Sequence, residues 1–185
     1  MSSEAVAAPP PHGRKGWVWA LVLVGVLLMG GLGVLVALEA KGGGGAATSA
    51  VELKKHGGGT VKFADLKGQV VMVDFWATWC PPCKAEMPAL VRLAKEFEAQ
   101  GLAFVAVSQD DADAAEYLVQ QFMDRHQPDL APYVVYGTFE VAQLFKVEAL
   151  PTLYFLDREG RIMSVHRGMM DEQEMRRNIE TALRQ

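Results

Sequence analysis

The chain has two cysteines in 185 residues, and both lie in Trp79-Cys80-Pro81-Pro82-Cys83-Lys84. Two thiols separated by two residues can close a disulfide when the intervening chain turns, as it does at the start of a helix. The chemistry open to such a pair is dithiol–disulfide exchange. Cys80 is expected at or just before the helix N-terminus and Cys83 in the first turn. Unpaired N–H groups and the positive end of the helix dipole then favour a thiolate on the outer sulfur. Cys80 is the expected nucleophile, and Cys83 the partner that attacks Cys80 and frees whatever it has captured. Pro81 and Pro82 bring no N–H groups, so they alter how well that thiolate is stabilised. The competing reading is half of a zinc site. Tetrahedral zinc needs about four ligands, and His56, His126 and His166 are scattered without metal spacing. No metal is expected.

Strands and helices alternate around this motif. Val70–Trp76 is a nearly continuous β-branched and apolar run, as in a strand buried on both faces. Residues 81–99 read as a helix with Leu90, Leu93, Ala94 and Phe97 at 3–4-residue spacing. Both prolines suit its first turn, and Pro88 should kink it. A second buried strand covers 102–107, and a helix 113–126 precedes a proline-punctuated loop. A short helix follows over 139–145. Strands 152–157 and 161–166 form a hairpin about Arg158-Glu159-Gly160, and Asp171 with Glu174 opens a last helix as a capping box. A small hairpin of 51–54 and 60–63 comes first. This order implies an α/β domain over 51–185, with a central mixed β-sheet flanked by helices on both faces.

Two acids fall near the cysteines. Asp74 is a carboxylate inside the apolar strand, and burying it unpaired would raise its pKa. The alternative is a strand-end aspartate in water, but Val73 and Trp76 argue for burial. Glu86 lies three residues after Cys83, on the same helical face; it reads equally well as a solvated helix glutamate. Trp76 is expected in the core and Trp79 on an exposed rim.

The stretch Val73-Asp74-Phe75-Trp76-Ala77-Thr78-Trp79-Cys80-Pro81-Pro82-Cys83-Lys84 resembles the active-site segment of thioredoxins. Glu86-Met87-Pro88 and an apolar N-terminal segment make the chain similar to TlpA/ResA-type thiol-disulfide oxidoreductases of the bacterial envelope. The resemblance covers about 51–185. It implies a thioredoxin-like fold, exchange with protein thiol and disulfide substrates, and no cofactor beyond a redox-active Cys80–Cys83 disulfide. It also implies a reducing role, such as preparing apocytochrome c for haem attachment. By the same resemblance, Asp74 matches the buried aspartate that relays protons to the inner cysteine, and Glu86 the active-site glutamate of the ResA-type subgroup. Leu150-Pro151-Thr152 resembles the cis-proline loop facing the disulfide. Leu150 and Pro151 would therefore join Trp79, Pro81 and Pro82 in substrate binding, with the Leu150 backbone pairing to an extended substrate. One departure stands out. Thioredoxins carry a lysine after the next strand, and Val107-Ser108-Gln109-Asp110 has none.

Outside this domain, residues 1–16 read as a disordered tail and 39–50 as a glycine-rich tether. Residues 17–38 form a 22-residue uncharged apolar run. At ~1.5 Å per residue a helix of that length spans ~33 Å, enough for a bilayer core of ~30 Å. A cleaved signal peptide is the alternative, but its apolar region is shorter, ~7–15 residues. Arg14 and Lys15 before the run place the N-terminus in the cytoplasm and the domain in the periplasm, held to the inner membrane. A membrane-bound donor of thiol electrons is the matching partner. Net charge is −4 without a basic stripe, so no nucleic-acid partner is expected.

Two further functions stay open from the sequence. A peroxidase of the same fold would place its cysteine in a Thr-x-x-Cys-like loop with a distant resolving partner, which residues 74–83 lack. A non-catalytic docking or chaperone module would have no need of the intact Cys80 and Cys83.

Overall fold

β-Branched and aromatic residues dominate the segments that pair at the centre of the domain, and their two-residue period sorts them onto two faces. The computed structural model describes residues 47–185; the expected tail, membrane anchor and most of the tether lie outside the described residues. The elements are β1 (Glu52–Lys54), β2 (Thr60–Lys62), β3 (Val70–Trp76), α1 (Pro81–Phe97), β4 (Leu102–Ser108), α2 (Ala115–His126), β5 (Val134–Tyr136), α3 (Phe139–Leu144), β6 (Thr152–Leu156), β7 (Ile162–Arg167) and α4 (Glu172–Leu183). The main sheet has the order β5-β4-β3-β6-β7. β3, β4 and β5 run parallel, whereas β6 and β7 are antiparallel to their neighbours, so the sheet is mixed. Antiparallel β1 and β2 form a separate two-stranded ribbon.

All seven residues of β3 are buried. Val70, Met72 and Trp76 pack with Met87, Leu90 and Phe97 of α1, Val119 and Phe122 of α2, and Met175 and Ile179 of α4. Val71, Val73 and Phe75 face the other way, onto Leu53, Phe63, Val141, Phe145 and Tyr154. Each fully buried side chain of this size contributes about 1.5–3 kcal/mol of transfer free energy. Asp74 shares the register of Met72 and Trp76 and so falls on the face that α1 covers, which positions it for the site.

Three details depart from the sequence expectations. Residues 47–50, assigned to the tether, make a helical turn whose buried Thr48 hydroxyl donates to the Gly160 carbonyl at 2.6 Å. Residues 128–133 are a 3-10 helix, and the loop then ends in β5, which the sequence reading left out. A three-residue strand that follows two prolines offers too little periodicity to be seen. Helix α1 ends at Phe97 and continues as a 3-10 turn, Glu98–Gln100, closed by Gly101 at φ 94°. That left-handed conformation is one that glycine adopts without steric cost.

Candidate active site

Cys80 is the N-cap of α1, in extended conformation at φ −93° and ψ 104°. Pro81 and Pro82 occupy the first two helical positions and cannot donate. The first backbone N–H of the helix therefore belongs to Cys83, and it is directed at Cys80 Sγ at 3.3 Å. The two sulfurs are joined in a disulfide, with Cα atoms 5.3 Å apart. The proline pair thus concentrates the donor capacity of the helix mouth on one N–H, aimed at the sulfur expected to carry charge after reduction.

The asymmetry between the two cysteines is not mainly one of exposed area. Cys80 is 3 % exposed and Cys83 is fully buried. Cys80 differs by lining a groove of about 430 Å³, whereas Cys83 does not. Trp79, Pro81, Pro82, Val147, Ala149 and Leu150 line the groove with Cys80. Trp79 is 63 % exposed and stands on the rim as expected, and Trp76 lies wholly in the core against Phe122. The Leu150–Pro151 bond is cis. Hydrogen bonds from Thr152 Oγ1 to the Ala149 carbonyl (2.6 Å) and from the Gly168 N–H to the Pro151 carbonyl (2.9 Å) fix this loop. Of the five residues expected to bind substrate, Trp79, Pro81, Pro82 and Leu150 line the groove, whereas Pro151 is buried next to Leu150 and does not.

Glu86 lies one turn after Cys83 on α1, both buried, and Asp74 of β3 is near enough to Glu86 to feel its charge. Asp74 is completely buried, and neither carboxylate oxygen has a hydrogen-bond partner. Burial first, and the nearby Glu86 charge second, hold its carboxyl well above the usual range. Glu86 is only 4 % exposed, so the solvated reading of this residue fails. Its Oε2 accepts from the Met170 N–H at 3.0 Å, and Oε1 has no partner. Burial pushes the Glu86 carboxyl up to about 7, against a smaller downward pull from Met170. The sequence placed Glu86 on the Cys83 face of the helix correctly. Its burial comes from a loop 84 residues away, which no local pattern reveals.

Residues that sequence reading missed complete the site. Gln109 lines the groove beside Cys80. Its backbone N–H donates to the Trp76 carbonyl at 2.7 Å, and its side chain rests against Gly137, where a Cβ would meet Nε2 at 2.0 Å. Asp110, noted in the sequence only because no lysine stands there, is buried and bonded to Thr78. Among the described residues no cluster of three metal-ligating side chains forms.

Comparison with known proteins agrees with this geometry. The chain matches the AhpC/TSA family over residues 45–165. It is 41 % identical over 112 residues to "Thiol-disulfide oxidoreductase ResA" of Oceanobacillus iheyensis, covering 60 % of this chain and 56 % of that protein. It is 38 % identical over 128 residues to "Thioredoxin-like protein YneN" of Bacillus subtilis, covering 69 % and 74 %. The match thus spans little more than half the length of the first relative and about three quarters of the second. Among solved structures, a putative thiol:disulfide interchange protein DsbE from Chlorobium tepidum superposes with a TM-score of 0.65 at 28 % identity, over 74 % of this chain and 95 % of that one.

Proposed function

The chain belongs to the AhpC/TSA family, and from that premise we propose that it is a ResA-type thiol-disulfide oxidoreductase that reduces protein disulfides outside the cytoplasm. One observation carries the reading: a closed Cys80–Cys83 disulfide at a helix mouth, with Cys80 alone of the two sulfurs lining an open apolar groove. The resident redox group is that disulfide, and no separate cofactor is needed.

In the reducing direction, the dithiol form delivers two electrons. The Cys80 thiolate attacks one sulfur of a substrate disulfide, forming a mixed disulfide and expelling the first substrate thiolate, which takes up a proton. Cys83 then gives up its proton and attacks Cys80 Sγ, releasing the second substrate thiolate and restoring the Cys80–Cys83 bond. The proton from Cys83 needs a nearby acceptor in a site shielded from water. Glu86, with its carboxyl near 7, and Asp74 behind it are the candidates. The reducing direction follows the resemblance of residues 73–88 to TlpA/ResA-type oxidoreductases.

The substrates in this reading are proteins with an accessible disulfide, apocytochrome c before haem attachment among them. An extended segment enters the groove along Ala149 and Leu150 by strand addition. The uncharged run 17–38 holds the chain in the inner membrane with the domain on the periplasmic side, and a membrane-bound thiol donor re-reduces Cys80–Cys83. Purified protein should accelerate insulin reduction by dithiothreitol, and Cys80→Ser should return the rate to that of dithiothreitol alone. Acceleration that survives in Cys80→Ser would end the proposal.

A further inference from the structure

The segment that delivers Cys80 to the helix mouth is short and irregular: Ala77, Thr78 and Trp79 join β3 to α1. Its internal support is one turn bond, from the Cys80 N–H to the Ala77 carbonyl at 3.1 Å. Among the described residues, the side-chain hydrogen bonds that hold it from outside come from one residue 32 positions away. The Asp110 carboxylate accepts from the Thr78 N–H with both oxygens, at 3.2 and 3.1 Å, and from the Thr78 hydroxyl at 2.6 Å. The Ser108 hydroxyl donates to the same carboxylate at 2.9 Å and accepts from the Asp110 N–H at 3.2 Å. Ser108 closes β4, where it pairs with Trp76, and the Gln109 N–H reaches the Trp76 carbonyl. The carboxylate is thus anchored to the strand end on one side and grips the connecting segment on the other.

Asp110 is only 7 % exposed, and among the described residues no lysine, arginine or histidine pairs with it. Neutral donors alone satisfy it. The Thr78 hydroxyl bond, at 2.6 Å, has the length of a charge-assisted bond and holds geometry more tightly than the two longer N–H contacts. A buried anion is costly, and a turn needing only closure could be closed by a neutral side chain. The expense is understandable if the placement of the next residues matters, and the next residues are Trp79 on the groove rim and Cys80.

We infer that Asp110 is a positioning residue for disulfide exchange: through Thr78 it fixes the segment that sets Cys80 Sγ against the Cys83 N–H and Trp79 at the groove. The inference rests on the exchange function proposed above. It assigns Asp110 no contact with substrate; the carboxylate acts through Thr78. When the clamp is weakened, Cys80 Sγ no longer sits steadily before its single N–H donor, the thiolate loses that stabilisation, and the thiol becomes less acidic.

The decisive variants leave the Asp110 charge in place. Thr78→Val deletes the hydroxyl donor alone, Thr78→Ser keeps it, and Asp110→Asn supplies a harsher perturbation. Each full-length protein, reduced and held in detergent, is alkylated with iodoacetamide across pH, and its insulin-reduction rate is measured in parallel. Thr78→Val should move the alkylation midpoint of Cys80 to higher pH and lower the insulin rate about fivefold to tenfold. Thr78→Ser should restore both to within about twofold of the unaltered protein. A Thr78→Val protein that melts at a lower temperature yet keeps the original alkylation profile and exchange rate would overturn the inference, leaving the clamp a purely structural device. Absence of exchange in the unaltered protein would instead overturn the proposed function. If Asp110→Asn fails to fold, the two Thr78 variants still decide the matter.

Discussion

Asp157 and Asp74 are both buried carboxylates, one just past the end of β6 and the other within β3, the strand that β6 pairs with. Their surroundings differ sharply. Asp157 accepts from the Glu159 and Arg161 N–H groups at 3.0 and 2.9 Å, and from Arg161 Nε at 2.7 Å. It is a turn residue whose acceptors are filled, as buried polar groups ordinarily are. Asp74 has no partner for either oxygen, and Glu86 leaves one oxygen unpaired. The same side-chain chemistry therefore serves two purposes. Where it shapes a hairpin, the fold satisfies it; within β3, the fold leaves it without a partner. In the exchange proposed above, such an acid is the candidate to take a proton from Cys83 and return it.

The largest way to break this contrast is to neutralise the unpaired acids. Asp74→Asn combined with Glu86→Gln should slow the release of thiol from a Cys80 mixed disulfide by at least ~10²-fold at neutral pH, the lower range for loss of a positioned base. Stopped-flow measurement of thiol release reads this directly. An unchanged rate would mean that water accepts the proton.

Stability against pH sharpens the comparison. Glu86 has its folded pKa raised from 4.5 to about 7, so the folded protein holds that proton more tightly than the unfolded chain does. Stability is fully present below about 4.5 and is lost as pH rises toward about 7, by about 3 kcal/mol at 1.36 kcal/mol per pKa unit. Asp74, raised in the same direction, adds to the loss. Urea unfolding of the oxidised protein should therefore show a falling midpoint from pH 4.5 to 8, and Glu86→Gln should flatten the slope. A midpoint that rises with pH over that window would contradict the assignment.

A smaller effect belongs to the satisfied acid. Asp157→Ala should lower stability by about 1–3 kcal/mol, through loss of the turn hydrogen bonds that Asp157 accepts, with exchange rates within about twofold of the unaltered protein. Chemical denaturation and the insulin assay together check both halves. Smallest of all, Trp79→Ala at the exposed rim should leave stability within about 0.5 kcal/mol while raising KM for a protein disulfide a few-fold.

Much of this was legible in the sequence, for local reasons. β3 declared itself through an unbroken run of buried-strand residues, and α1 through its spacing and its proline-rich first turn. Asp74 stood out because a carboxylate is anomalous among Val73, Phe75 and Trp76. The capping of α4 by Asp171, whose side chain accepts from the Glu174 N–H at 2.9 Å, followed from a three-residue spacing. What escaped was set by contacts distant in sequence. Glu86 is buried because Met170 closes over it, and Asp110 acquires its role from Thr78. Neither partner can be inferred from periodicity. The groove had the same limit: Trp79 and the prolines were identifiable beside the cysteines, but Gln109, Ala142 and Val147 reach it only through the tertiary fold.

Trapping the exchange intermediate bears most directly on the division of labour between the two sulfurs. Reduced Cys83→Ala protein, mixed with a disulfide-bonded peptide and analysed by mass spectrometry, should accumulate a mixed disulfide on Cys80, while the reduced unaltered protein releases the peptide as thiol. If Cys83→Ala forms no adduct, or Cys80→Ala forms one on Cys83 just as readily, then Cys80 is not the attacking sulfur and the account is wrong.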